Sequence, residues 1–205
     1  MNKLLVIGLT GPTGAGKSEL TAILREEQIP VVDTDRLARE VVEPGGACLA
    51  RLVEAFSPAI LLPDGSLDRG ALAARAFASS ETAQQLSALT HPYIIARTKV
   101  ILKELAAAGE PLTVVDAPLL FESGMDALCD HTIAVTAPAA RRLARICGRD
   151  GITEEQARRR MAAQQPDAFY AEQADEVLPN DATLADFRER ARALAVRMKR
   201  WPHES

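Results

Sequence analysis

The residues best suited to chemistry are Gly11-Pro12-Thr13-Gly14-Ala15-Gly16-Lys17-Ser18. They fit G-x-x-x-x-G-K-[ST], the spacing of a phosphate-binding loop. Gly11, Gly14 and Gly16 reach backbone angles closed to other residues and let the main chain approach a ligand. Successive N–H groups then form an anion cup, and the helix that follows points its positive end at it. Gly14, Ala15, Gly16, Lys17, Ser18 and Glu19 are the candidate nucleotide-phosphate segment. Lys17 supplies a point charge for β- and γ-phosphates, and Ser18 a hydroxyl for Mg²⁺.

Such a cup implies a nucleoside triphosphate with magnesium, and a transfer to an alcohol needs more. It needs a group to orient the hydroxyl and cations to hold the migrating phosphoryl group. Asp33 and Asp35 supply the first, a carboxylate able to accept the hydroxyl proton. One of the pair also suits the N-cap of the next helix, and Asp33 is either that cap or a site residue. Arg141, Arg145 and Arg149 are spaced four apart, so they share one helical face. Arg141 reads as surface; Arg145 and Arg149 are the candidates for phosphate. Arg158, Arg159 and Arg160 read as solvated. Asp116 ends an apolar run, where it either binds Mg²⁺ through water or only hydrogen-bonds a loop. His91 and Gln164 read as structural, and His131 and His203 suggest no partner.

Apolar runs place strands at residues 3–9, 31–32, 112–116, 132–135 and 176–178, each followed by helical periodicity. Helices are predicted over 17–27, from 34 to about 43, 47–57, from 69 to about 77, 81–89, 92–108, 139–148, 153–164, 167–173 and from 184 onward. His91-Pro92 is expected to break the chain between two of them. Strands alternating with helices predict an α/β fold with a five-stranded parallel sheet and right-handed crossovers. Residues 45–109 hold no strand and read as a helical insertion. The core is then about 1–44, 110–137 and 175–205. Ligands in such sheets bind beyond the carboxyl ends of the strands.

The chain has 205 residues, enough for one well-cored domain, and is 47% hydrophobic and 25% charged. Its net charge of −4 gives no support for nucleic-acid binding. Cys48, Cys129 and Cys147 lack metal or redox spacing and suit a reducing compartment. No stretch is long enough to span a membrane. A cytoplasmic protein without membrane or nucleic-acid partners is expected, with a monomer favoured.

Further pieces give the chain a family likeness. They are Leu9-Thr10-Gly11 with Gly14–Ser18, Asp33-Thr34-Asp35 with Ala38-Arg39, and Asp64-Gly65 with Leu67-Asp68-Arg69. They continue with His91-Pro92, Pro118-Leu119-Leu120-Phe121-Glu122, Arg145 and Arg149, Gln164, and Ala174-Asp175 with Asn180. In this order they resemble the dephospho-coenzyme A kinases, which have the P-loop kinase fold. The resemblance implies that ATP, with Mg²⁺, phosphorylates the ribose 3′-hydroxyl of dephospho-coenzyme A. It implies Asp35 as the base and an acceptor region including Leu119, Phe121 and Glu122; Asp33 and His91 are further acceptor candidates, and Ser18 and Asp116 are the metal candidates. The helical insertion would hold the acceptor's pantetheine side, and residues 138–165 would act as a lid. Glu19 stands where many relatives have Thr, and Arg142 where the family usually has Gln. A nucleoside-monophosphate-type kinase is the nearest alternative. A nucleotide-driven switch is disfavoured, since neither Asn-Lys-x-Asp nor Asp-x-x-Gly follows the loop.

Overall fold

The computed structural model describes residues 3–201, so His203 lies outside the described residues. Five strands form one parallel sheet. They are β1 (Leu5–Thr10), β2 (Val31–Asp33), β3 (Leu112–Asp116), β4 (His131–Thr136) and β5 (Glu176–Pro179), in the order β2-β3-β1-β4-β5. Central β1 pairs with β3 on one side, Leu9 opposite Asp116, and with β4 on the other, Leu9 opposite Ile133. A strand with a neighbour on each side and helices on both faces must be apolar throughout, and Val6 to Thr10 are all buried.

Helix α1 (Lys17–Glu26) carries Leu20, Ile23 and Leu24 on one stripe, all nearly inaccessible. They join Ile7, Leu9, Val114 and Val135 of the sheet in the main core. The C-terminal helix, named α9 once the others are placed, spans Leu184–Met198 and adds Phe187, Leu194 and Met198 to it. Thr183 and Asp186 start it with a reciprocal capping box, so Asn180 is free for another task.

Two compact units emerge: residues 33–101, and the rest of the chain. The first is helical, with α2 (Thr34–Glu40), α3 (Ala47–Phe56), α4 (Arg69–Ala76) and the first part of α5 (Ser80–Ala107). It begins at Asp33, earlier than the expected 45, because Val41 and Val42 pack with Cys48, Leu52 and Phe56. Asp68 caps α4 by accepting from the Ala71 N–H.

The expected break at His91-Pro92 does not occur: α5 runs unbroken through Pro92. Proline lacks the N–H that would bond the Ala88 carbonyl, a penalty of about 3 kcal/mol in a helix interior. Leu86, Leu89 and Tyr93 flank it on one face and all pack against the unit's core. That burial on both sides keeps the helix continuous, since tertiary packing overrides local propensity.

The remaining helices are α6 (Ala139–Asp150), α7 (Glu154–Ala162) and α8 (Asp167–Gln173). Leu143 and Ile146 of α6 pack on Ala157 of α7. Among the described residues no helix is long and apolar enough to cross a membrane.

Candidate active site

The chain leaves β1 at Thr10 and enters α1 at Lys17, so residues 11–16 form the turn between them. Gly11, Gly14 and Gly16 have φ of 138°, 77° and 115°, values that residues with a Cβ rarely adopt. Space forbids a side chain as well. A Cβ on Gly11 would lie 2.2 Å from the Val135 carbonyl oxygen, and one on Gly16 2.3 Å from Asn180 Nδ2. Gly11→Ala is therefore expected to cost about 2–5 kcal/mol of stability, the sum of backbone strain and overpacking against β4. Thermal melting checks this; an unchanged midpoint would show that the loop has room to relax.

Two loop amides are already engaged: Ala15 N–H donates to the Pro12 carbonyl (3.1 Å) and Thr13 N–H to Gln164 Oε1 (2.8 Å). The amides of Gly14, Gly16, Lys17 and Ser18 have no acceptor among the described residues. Helix α1 starts at Gly16 without a side-chain cap. Four open donors at an uncapped helix start make an anion site. Lys17 is half-buried in this turn, and Ser18 is exposed on the first turn of α1. Glu19 faces α9 and pairs with Arg188 at 2.6 Å.

The far side of the loop is clasped by side chains. Arg142 Nε donates to the Thr13 carbonyl (2.9 Å), and an Arg145 nitrogen donates to those of Gly14 and Ala15 (3.2 Å each). Asn180 Nδ2 donates to the Ala15 carbonyl (2.8 Å), and its Oδ1 accepts from Arg145 (3.0 Å). Three consecutive carbonyls thus turn toward cations and an amide. In a planar trans peptide the N–H points opposite to the C=O, so the clasp turns the paired N–H groups the other way.

The arginines divide among several partners. Arg145 is held by the Gly14 and Ala15 carbonyls and by Asn180. Arg149 is exposed and chelates Asp150 at 2.7 and 2.9 Å, which with Arg160 holds the Asp150 carboxyl down to about 2. Arg141 is exposed on the surface and donates to the Ala182 carbonyl. Arg158 and Arg159 are exposed and paired with Glu154 and Glu155.

Asp33 ends β2 and caps α2, accepting from the Arg36 N–H at 3.1 Å. Asp35 is exposed on the first turn of α2, with no hydrogen bond or ion pair among the described residues. His91 lies within α5, and burial lowers its pKa below the ordinary histidine value, which favours the neutral ring. Asp116 closes β3 opposite Leu9, one residue before the end of β1.

The segment 118–122 is anchored by Leu120, fully buried, whose methyl group would lie 2.8 Å from a Cβ at Gly8. Leu119 stays 43% exposed. Phe121 meets Phe169 edge-on at 6.0 Å, and Phe169 meets Tyr170 edge-on at 5.5 Å. Partial desolvation raises the Glu122 carboxyl, and burial, then Glu122 itself, pushes the Tyr170 hydroxyl up to about 12.

Sequence reasoning overlooked Arg142, Gln164, Asp167 and Asn180 as parts of the loop's support. No local spacing reveals them; only the position of Gln164 and Asn180 in the ordered family string hinted at a role.

A family model described as dephospho-CoA kinase matches residues 5–186. The dephospho-CoA kinase of Corynebacterium glutamicum is 42% identical over 191 residues, covering 93% of this chain and 96% of its own. That of Corynebacterium jeikeium is 44% identical over 181 residues, covering 88% and 93%. Among solved structures, a Thermus thermophilus protein superposes with a TM-score of 0.80 at 32% identity, covering 97% of this chain and 99% of its own. The dephospho-CoA kinase from Campylobacter jejuni does so at 0.72 and 25%, covering 94% and 96%. A shikimate kinase from Bacteroides thetaiotaomicron, 15% identical, shares the fold with a TM-score of 0.54 over 95% of this chain and 98% of its own. The match takes in the glycine loop, the paired aspartates, the arginine-bearing helix α6 and Asn180 together, and the chain belongs to the dephospho-CoA kinase family.

Proposed function

We propose that this chain transfers the γ-phosphoryl group of ATP to the 3′-hydroxyl of the ribose of dephospho-CoA, giving CoA and ADP. The observation that carries the reading is the family match across residues 5–186, which includes the phosphate loop and the Pro118–Glu122 string. The four open amides of the loop and Lys17 take the β- and γ-phosphates. Asp35 accepts the proton of the ribose hydroxyl as its oxygen bonds to the γ-phosphorus. The bond from that phosphorus to the bridging oxygen breaks, and the electrons leave with ADP. Lys17 bears the charge that develops on the transferred group and the leaving oxygen.

Among the described residues no cluster of three or more His, Cys, Asp or Glu could hold a metal by itself. That suits Mg²⁺, which keeps several waters and binds through nucleotide phosphates with one or two protein oxygens. Ser18 and Asp116 are the residues to hold it, and bound there it would neutralise phosphate charge. Leu119, Phe121 and Glu122 belong to the acceptor side, as do Asp33 and His91. Arg149, exposed and paired with Asp150 among the described residues, exchanges that partner for a phosphate.

The reading is tested by acceptor choice. With ATP and Mg²⁺ present, dephospho-CoA is expected to be phosphorylated with a kcat/KM at least about 10⁴-fold above that for any nucleoside monophosphate. A site built to hydrogen-bond one acceptor rejects analogues by such factors. Equal or preferential use of a nucleoside monophosphate would replace this function with the alternative kinase activity.

A further inference from the structure

Arg142 is the largest fully buried side chain among the described residues, with a side chain only 2% exposed. A guanidinium stays charged, and removing it from water costs several kcal/mol unless it is paired and hydrogen-bonded. Its bonds go to two places. One arm ion-pairs with Asp167 at the start of α8, and Nε donates to the Thr13 carbonyl at 2.9 Å. The backbone of the same residue presses on the loop: a Cβ at Gly14 would lie 2.9 Å from the Arg142 carbonyl oxygen. On the other side of Thr13, Gln164 Oε1 takes the N–H at 2.8 Å. Thr13 is thus gripped at both of its peptide bonds by side chains more than a hundred residues away.

We propose that Arg142 is a positioning residue for nucleotide binding. It holds the Thr13 carbonyl, and because that carbonyl shares a rigid plane with the Gly14 N–H, it aims this open amide at the phosphates. Asp167 fixes the guanidinium, and Gln164 fixes the preceding peptide, so the Thr13–Gly14 plane cannot turn over. The buried positive charge also lowers the potential energy of an anion on the open side of the loop. A glutamine here, as the family usually has, could donate to the carbonyl but would carry no charge and no pair with Asp167. This inference rests on the reading of the loop as an ATP site.

The test is equilibrium binding of ATP and of ADP without acceptor, with melting curves to verify folding. Arg142→Met, similar in length and without donor or charge, is expected to weaken both nucleotides about 10- to 100-fold, the worth of a hydrogen bond to a charged group. Arg142→Gln should recover part of that loss. The KM for dephospho-CoA should stay within about twofold for both variants, a split that general loosening of the fold would not produce. If Arg142→Met does not fold, Arg142→Gln and Asp167→Asn decide, each with a weakening of at least about threefold expected. Folded variants that bind ATP within twofold of the unaltered protein overturn the proposal, as does an equal rise in both KM values. Failure of the unaltered protein to bind ATP would instead overturn the functional reading on which it rests.

Discussion

Lys17→Ala lowers kcat/KM for phosphoryl transfer by at least about 10³-fold, the scale on which single cations stabilise a migrating phosphoryl group. The reason lies in the composition of the loop. Its other members offer only amide dipoles, and the guanidinium of Arg145 is committed to the Gly14 and Ala15 carbonyls on the opposite side. No second cation stands within residues 11–18 to substitute. Lys17 has no hydrogen bond or ion pair among the described residues, so its loss breaks no structural contact and the melting temperature should hardly move. Steady-state kinetics beside a melting curve check both halves. A variant retaining more than a tenth of normal kcat/KM would place the charge-bearing group elsewhere.

Asp35→Asn lowers kcat by about 10² to 10⁴, the usual contribution of a positioned general base, and leaves ATP affinity within about threefold. Its neighbour explains why the two effects separate. Asp33 carries the structural duty, capping α2 through the Arg36 N–H, so Asp35 has no hydrogen bond to lose there. Asparagine matches its shape and cannot take a proton. Pre-steady-state transfer rates together with nucleotide titration measure both quantities. Loss of ATP binding with kcat unchanged would reassign Asp35 to holding the nucleotide.

The legible parts of this molecule were those written locally. β1, β3 and β4 appear as apolar runs because a strand covered on both faces has no room for polar alternation. The glycine loop was legible because its spacing is itself the mechanism, and Asp33 was legible as a cap candidate, alongside a site role, because the bond it makes spans three residues. Local rules failed at Pro92, where the chain ignores a strong breaker because Leu86, Leu89 and Tyr93 on either side of it are partly buried against the unit's core. They also failed behind the loop. Thr13 meets Arg142 across 129 residues and Gln164 across 151, separations at which no period or motif operates. An arginine in an exposed-looking helix with four basic residues reads as surface until the partner that buries it is known.

The clasp of Asn180 on the Ala15 carbonyl joins positions 165 residues apart. During synthesis the phosphate loop leaves the ribosome long before its frame, Asn180 and the α9 residues that pack with α1 in the core. A nascent chain that stops short of Asn180 carries the motif without this part of its scaffold. Completion of the loop's frame thus waits on a contact of long sequence separation, the kind of closure that slows folding.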